Sequence, residues 1–355
     1  MKVDKLYLEN FRNYKNQVFE FGDNLNIIYG LNGQGKTNII EALYFFCNGK
    51  SYRSSHDTEV INFLSDYANI KCEFTAQGEK QNAQIFIDKK KVIKINGAPI
   101  QKLSEIIGML NMVIFTPEQL NLIKNGPGER RKFIDIFVSQ LKPLYFKTLL
   151  NYYKVLAQRN NILKSKNKAM LQTIDIWNEK LSELGILLCK YRNETIDLLN
   201  LYVNNINFEN KEKIDIKYLS NIKNDFTDKN EFIKQLEAGF ERDIDKQMTM
   251  TGPHRDDIDI LMNEKSIKKY GSQGQQRTCV LKMKLSECDI LNKVTGEQPI
   301  LLLDDILSEL DNKRKTFFLE NIKERQVIIT ATQKEVFKGE CTYFKIEDGN
   351  LTEKN

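Results

Sequence analysis

The segment Gly30-Leu-Asn-Gly-Gln-Gly-Lys36-Thr37 fills the pattern G-x-x-x-x-G-K-[ST] at every position, and nothing else in the chain constrains the fold as tightly. Before it runs the apolar stretch Asn24–Tyr29. After it, Ile39, Ile40, Leu43 and Phe46 fall on one face at helical spacing. Strand, glycine turn and helix form the context in which this pattern becomes a phosphate cradle. Glycines let backbone N–H groups converge where a side chain would block the approach. Gly30, Asn32, Gly33, Gly35, Lys36, Thr37 and Asn38 are the candidate contacts, with Lys36 reaching the β- and γ-phosphates and Thr37 ligating Mg²⁺. A glycine-rich turn matching by accident is expected in roughly one chain in a hundred of this length. The flanking pattern argues further against that reading.

No apolar run approaches the roughly 20 residues of a membrane span. The N-terminus carries acids where a signal peptide would be apolar, so a soluble cytoplasmic protein is expected. The six cysteines form no C-x-x-C pair and only two histidines are present, which points to reduced thiols and away from structural zinc. With 53 basic and 48 acidic residues the net charge is only +5. Nucleic-acid binding therefore depends on clustering. Candidate clusters are Lys89-Lys90-Lys91 with Lys94, Arg130-Arg131-Lys132, and Lys164/Lys166/Lys168, each of which could equally be a solvated surface.

Strands are expected over 5–8, 18–21, 25–29, 70–77, 84–88, 92–95 and 109–115. Apolar spacing then predicts one long helix from Glu129 to about Lys166 and a second from Ile174 to about Tyr202. The two would pack as an antiparallel pair. A strand at 213–218 and helices at 231–248 and 274–293 follow. The chain closes with strand 300–304, helix 313–323, strand 326–330 and a hairpin at Asp348-Gly349. The expected fold is α/β. An ATPase head built from both termini (1–115 and 297–355) would hold an inserted, mainly helical lobe (116–296).

Ile300-Leu-Leu-Leu-Asp304-Asp305 is a buried strand ending in two carboxylates. With a phosphate loop upstream, the first acid holds Mg²⁺ and the second orients and deprotonates water. Tyr270-Gly-Ser272-Gln-Gly274-Gln-Gln276-Arg277 opens a helix whose N–H groups and hydroxyl can meet an anion. Alone it is a good N-cap. Some thirty residues before an acid-ended strand, it is similar to the signature loop of ABC-type ATPases, whose Ser meets the γ-phosphate held by a second subunit.

Together with Leu8-Glu-Asn10-Phe-Arg12-Asn-Tyr14, Gly35-Lys-Thr-Asn38-Ile-Ile-Glu41, Phe115-Thr-Pro-Glu118, Gly126-Pro-Gly-Glu-Arg130-Arg131 and Gly252-Pro-His254-Arg255-Asp256-Asp257, these blocks resemble the RecF family. Its members are bacterial recombination mediators related to ABC-type and SMC ATPase heads. The resemblance spans essentially the whole chain. It implies a homodimer formed on ATP and Mg²⁺ that binds double-stranded DNA at gaps and helps load recombinase with RecO and RecR. Carried over by position, Lys36, Asp305 and Ser272 are catalytic, and Thr37, Asp304 and Gln119 serve the metal. Gln119, Ser272, Gly274, Gln275, Arg12 and Arg53 join the nucleotide contacts. The water-activating acid is Asp305 where ABC-type enzymes have Glu, and no histidine follows strand 326–330. A weak DNA-stimulated ATPase is therefore expected. The alternatives are the ATPase subunit of an ABC transporter, which would lack DNA binding, and a small-molecule kinase, which would leave Ser272 without a role. His254-Arg255-Asp256 superficially matches a kinase catalytic loop, but no D-F-G follows; the run reads either as a surface turn with salt links or, lying just upstream of the signature, as part of the DNA-facing or interface surface.

Overall fold

The computed structural model describes residues 1–354, except 121, 166–167, 209–211, 335–336, 338–339 and the side chains of 168 and 169. Lys166 and Lys168 of the third basic cluster thus lie outside the described side chains. In chain order the first elements are β1 (Lys2–Phe11), β2 (Tyr14–Glu20), β3 (Leu25–Tyr29), α1 (Lys36–Asn48), β4 (Ala68–Ala76), β5 (Glu79–Ile87), β6 (Lys91–Ile95), β7 (Ala98–Pro99), β8 (Met112–Phe115) and α2 (Pro117–Leu120). Next come α3 (Pro127–Leu141), α4 (Pro143–Ser165), α5 (Lys168–Leu171), α6 (Ile174–Val203), β9 (Ile214–Leu219), α7 (Lys229–Ala238) and α8 (Phe240–Lys246). The chain continues through β10 (Asp257–Met262), β11 (Lys265–Ser266), α9 (Ile267–Tyr270) and α10 (Gln273–Thr295). It ends with β12 (Ile300–Asp304), α11 (Asn312–Asn321), β13 (Val327–Ala331), β14 (Cys341–Glu347) and β15 (Asn350–Lys354).

The chain divides into two compact units, residues 1–121 with 280–355, and residues 122–279. The division falls later at the first crossing and earlier at the second than the sequence suggested. Thr116–Leu120 stay with the β8 end, and α10 changes units partway along, at Cys279/Val280. No helix among the described residues is long and apolar enough to cross a membrane.

The first unit carries two six-stranded sheets. One is antiparallel in the order β2-β1-β4-β5-β6-β7, and the other runs β15-β14-β3-β13-β12-β8. In the second, β14, β3, β13, β12 and β8 are mutually parallel and only the edge strand β15 is antiparallel. Parallel central strands are buried on both faces and read as continuous apolar runs. Ile300–Leu303 and Ile328–Ile329 are accordingly fully buried. One strand, β13, separates the loop strand β3 from the acid-ended β12.

The second unit departs from the sequence reading in three places. The single helix expected from 129 to 166 is two, broken at Lys142-Pro143. Proline lacks the N–H that would bond four residues back, so it starts a new helix at its N1 position. Gly239 likewise splits the helix expected at 231–248 into α7 and α8. The run after Asp256, assigned to no element from sequence, forms β10. It pairs antiparallel with β9 and β11, so the mainly helical lobe also holds a small sheet.

The helices α4 and α6 do pack together, but around charge as well as apolar side chains. Arg192 of α6 is 1% exposed and bonds Asp135 Oδ1 (2.8 Å), Asp256 Oδ2 (2.9 Å) and the Pro253 carbonyl (2.7 Å). Arg159 of α4, fully buried, bonds Asp243 Oδ2 at 2.8 Å and Thr249 Oγ1 at 2.7 Å. Tyr218 also donates to Asp256, and the Asn221 N–H reaches Asp256 Oδ1 at 2.7 Å. Gly252, Pro253 and Asp256 are buried while Arg255 stays exposed, so the Gly252–Asp257 turn faces inward and joins α3, α4, α6 and β9 through its salt links and hydrogen bonds. Leu144, which falls in the apolar repeat of the first long helix, is 59% exposed.

His254 belongs to this turn. Its Nδ1 accepts from the Tyr152 hydroxyl (2.7 Å), and its Nε2–H donates to the Thr249 carbonyl (3.0 Å), a carbonyl being only an acceptor. Burial, with Arg255 and Arg131 nearby, holds its pKa down at about 4 against the ordinary 6.5. The unfolded chain therefore takes up a proton near 6.5 that the folded one refuses until about 4. Stability from this site is complete above pH 6.5 and lost as pH falls towards 4. Denaturant unfolding between pH 7 and 4 should show that decline, and His254→Phe, though weaker at pH 7, should flatten it. An equal slope in both proteins would contradict the assignment.

Candidate nucleotide-binding site

Gly30 ends β3, and Gly30, Gly33 and Gly35 all have positive φ (153°, 81° and 111°). At Gly35 a Cβ would lie 2.5 Å from Asn13 Nδ2, so the turn admits no side chain there. The helix α1 opens on this turn with no side-chain cap and no acid in its first turn, which leaves its N–H groups and positive end facing the loop. Lys36 is 7% exposed, and its Nζ donates to the carbonyls of Gly30 (2.7 Å) and Leu31 (2.8 Å). Burial lowers its pKa, opposed by the Asp305 and Asp304 carboxylates.

The acid-ended strand meets this loop through hydroxyls. Thr37 Oγ1 donates to Asp304 Oδ1 at 2.8 Å. Thr330, on the intervening β13, donates to the same oxygen at 2.9 Å and accepts the Asp305 N–H at 2.9 Å. Tyr52 donates to Asp304 Oδ2 at 3.3 Å. Asp305 adopts φ 50°, in the left-handed region that few residues other than glycine, asparagine and aspartate occupy. Thr330 and Tyr52 were not singled out from sequence. Thr330 is visible only as the polar residue near the end of an apolar strand.

Two further clasps hold the loop. Asn13, in the β1–β2 turn, donates to the Gln34 carbonyl (2.9 Å) and accepts from Asn38 Nδ2 (2.8 Å), while Tyr14 donates to the Gly35 carbonyl (3.1 Å). From the far end of the chain, the Asp348 N–H bonds Gln34 Oε1 and the Gly349 N–H bonds the Gln34 carbonyl at 3.2 Å. Both termini thus converge on one loop residue.

The two arginines assigned to nucleotide differ. Arg12 is largely occupied: Nε and Nη2 form a bidentate pair with Glu41 (2.9 and 2.6 Å), and Nη1 donates to the Glu59 carbonyl at 2.8 Å. Arg53 bonds Asn38 Oδ1 at 2.9 Å and Glu41 Oε2 at 3.4 Å while 43% of its side chain stays exposed. Glu41 is fully buried and also accepts from Ser51, so one helix carboxylate organises this flank. Quoted in the sequence only as part of a block, its pairing was not anticipated. Arg130 likewise leaves the basic cluster, being 5% exposed and bidentate to Asp257 at 2.6 and 2.9 Å. Lys91 is paired with Asp57 at 2.6 Å.

Gln119, on α2, has its Oε1 buried without a hydrogen-bond partner. A buried orphan acceptor is costly unless a donor or cation meets it. Ser272 and Gln275, in the second unit, form a capping box: the Ser272 N–H donates to Gln275 Oε1 (2.9 Å) and the Gln275 N–H to Ser272 Oγ (3.2 Å). The N-cap reading therefore holds for the oxygen, while the exposed Ser272 hydroxyl proton remains free to donate. Gln275 Nε2 also bonds Glu212 at 2.9 Å. An anion with bound Mg²⁺ fits these groups. Glycine-lined N–H groups and Lys36 suit phosphate, and Thr37, Asp304 and the orphan Gln119 oxygen are hard oxygen donors of the kind Mg²⁺ takes.

The sequence matches the RecF/RecN/SMC N terminal domain family over residues 2–352. A protein of Acetivibrio thermocellus named DNA replication and repair protein RecF is 42% identical to it, with 98% of this chain and 99% of that one covered. A protein of the same name from Lachnospira eligens is 40% identical over the full length of both. The chain belongs to the RecF family. In three dimensions it is similar to the recombination mediator protein RecF in its ATP form, with TM-score 0.91, 37% identity and 98% and 96% of the two chains covered. An SMC head bound to ScpA shares the fold alone, at TM-score 0.57 and 18% identity. Membership of the RecF family leaves no place for a transporter subunit.

Asp304 has its pKa raised, chiefly by burial, against the three hydroxyl donors that favour its charged form. A raised folded value means the charged carboxylate penalises folding above it, and the penalty vanishes as pH falls towards the unfolded value near 3.8. Without nucleotide or metal, Asp304→Asn should unfold at higher denaturant than the parent at pH 7. That margin should close near pH 4. A less stable Asn variant at pH 7 would contradict this.

Proposed function

We propose that the chain is an ATP-dependent DNA-binding protein of recombinational repair and replication, in which two copies close on ATP and slow hydrolysis reopens them. The observation that carries the reading is the Thr37–Asp304 hydrogen bond, which ties the phosphate loop to the acid-ended strand. The RecF relatives, one of them in an ATP form within the RecFOR pathway, support DNA, RecO and RecR as partners. Bound Mg-ATP supplies a γ-phosphate that ADP lacks, and with it charge for two surfaces to share.

In this reading Lys36 gives up the Gly30 and Leu31 carbonyls for phosphate oxygens. Thr37 and Asp304, hydrogen-bonded to each other here, would hold Mg²⁺ together with Gln119. Asp305 orients a water and accepts its proton. Ser272 of a second copy donates its hydroxyl from a capped helix end, so each site is completed by its partner and the pair is two-fold symmetric. Arg53, with its exposed edge beside Asn38, joins the phosphate side. Arg12 acts through Glu41 and positions α1. The shorter Asp305 carboxylate and the absence of a histidine after β13 make for slow hydrolysis, a weak ATPase activity that DNA stimulates.

Sizing the protein with ADP, with ATP and with a slowly hydrolysed ATP analogue tests the reading. Asp305→Asn should stay paired in ATP, and Ser272→Arg should bind ATP as a monomer. Lys36→Met should do neither. Pairing that ignores nucleotide, or an unaltered Ser272→Arg pair, would overturn it. Steady-state turnover with DNA should fall well below about 10 per second, the median for enzymes; a rate at or above it would refute the slow-timer role.

A further inference from the structure

The 23-residue helix α4 contains no aspartate and no glutamate. At the chain's overall acid content, a helix of that length would carry about three. Its partner α6 is built in the ordinary way, with Asp175, Glu179, Glu183, Glu194 and Asp197 against Lys180, Lys190 and Arg192. The acids of α6 are largely spent locally, with Lys229 bonding Glu179 and Glu183 (2.9 and 2.8 Å) and Lys142 bonding Glu194 (2.5 Å). Intrahelical pairs of acid and base normally steady an exposed helix face. The outer face of α4 forgoes them.

What it presents instead is Lys147, Asn151, Lys154, Gln158, Asn161 and Lys164, all exposed. At 100° per residue, Lys147, Asn151, Lys154, Gln158 and Asn161 fall within one strip about 80° wide, and Lys164 lies roughly 60° round the helix from its nearer border. The three lysines span about 25 Å of helix axis. Among the described residues none of them meets a carboxylate. The fourth cation of the helix, Arg159, is fully buried and bonded to Asp243, so it takes no part. Unpaired ammonium groups interspersed with amides, with Lys164 carrying the charge round the helix at its far end, suit a row of anions that winds past it, because amides also hydrogen-bond phosphate oxygens without reading bases.

We propose that this outer face of α4 is a contact track for the phosphate backbone of double-stranded DNA. The inference rests on the DNA-binding reading above and gives it a location. Duplex is favoured over single strand by the make-up of the strip. Unpaired bases are held by stacking on aromatic rings, and the strip has none, the half-exposed Tyr153 lying to one side.

The test measures affinity of the full chain, with ATP, for a duplex and for a single-stranded oligonucleotide across a range of salt. Three proteins are compared: the parent, the triple variant Lys147→Gln/Lys154→Gln/Lys164→Gln, and the α6 control Lys180→Gln/Lys190→Gln. Each lost phosphate contact should lower the log–log salt slope by about 0.9, so the triple variant should lose two to three units of slope and at least tenfold in duplex affinity near physiological salt. The control should match the parent, and ATP-dependent pairing should persist in all three. A triple variant that keeps the parent's slope overturns the track while leaving the DNA-binding reading intact. A larger loss for single strand than for duplex also overturns it. A parent that binds no duplex in any nucleotide state sinks both.

Discussion

The oxygen Oδ1 of Asp304 receives hydroxyl hydrogen bonds from Thr37 on the loop helix and from Thr330 on the strand between, and the nucleotide site depends on that convergence. Because β13 intervenes between β3 and β12, the loop and the acid cannot meet through neighbouring backbones. Side chains must bridge the gap, and two threonines do. The same Thr330 hydroxyl holds the Asp305 N–H, so the two neighbouring carboxylates are set by one residue. Charge confined there is costly when nothing answers it, which is the physical reason such a site closes on a cation and a phosphate.

The chain's ends are part of the same device. Asn13 near the N-terminus and the Asp348-Gly349 turn near the C-terminus both grip Gln34, which fixes the loop from two sides. The second unit has a core of its own. That core is polar to an uncommon degree. Arg159 and Arg192 sit buried against Asp243, Asp135 and Asp256. Removing one partner of such pairs typically costs about 3–5 kcal/mol, whereas well-packed apolar replacements need not. The arrangement suits geometric specificity more than raw stability: α3, α4, α6 and the Gly252–Asp257 turn are held in one register.

Sequence made the loop, its flanking strand and helix, and the acid-ended strand legible, because each is a local pattern with a mechanical meaning. It misplaced breaks where periodicity ran on: apolar spacing continues through Lys142-Pro143 and Gly239, so only the backbone chemistry of those two residues marks the ends. It passed over β10, a short alternating run that reads weakly beside long helices. Glu41, Thr330 and Tyr52 were hidden for a different reason. Their roles are partners met in space, far from or unmarked by any motif, and the buried carboxylate that pairs with Arg12 could not be seen from the sequence.

The central claim is that each nucleotide site is shared between two copies, with Lys36 from one and Ser272 from the other. The most direct measurement mixes two variants that are each inactive alone, Lys36→Met and Ser272→Arg, and follows ATP-dependent pairing and hydrolysis. A mixed pair holds one intact site, made from the wild-type Lys36 of one copy and the wild-type Ser272 of the other. Mixing should restore pairing and a fraction of the parent rate, greatest near equal proportions. A mixture that stays monomeric and as inactive as its components at every ratio would contradict it.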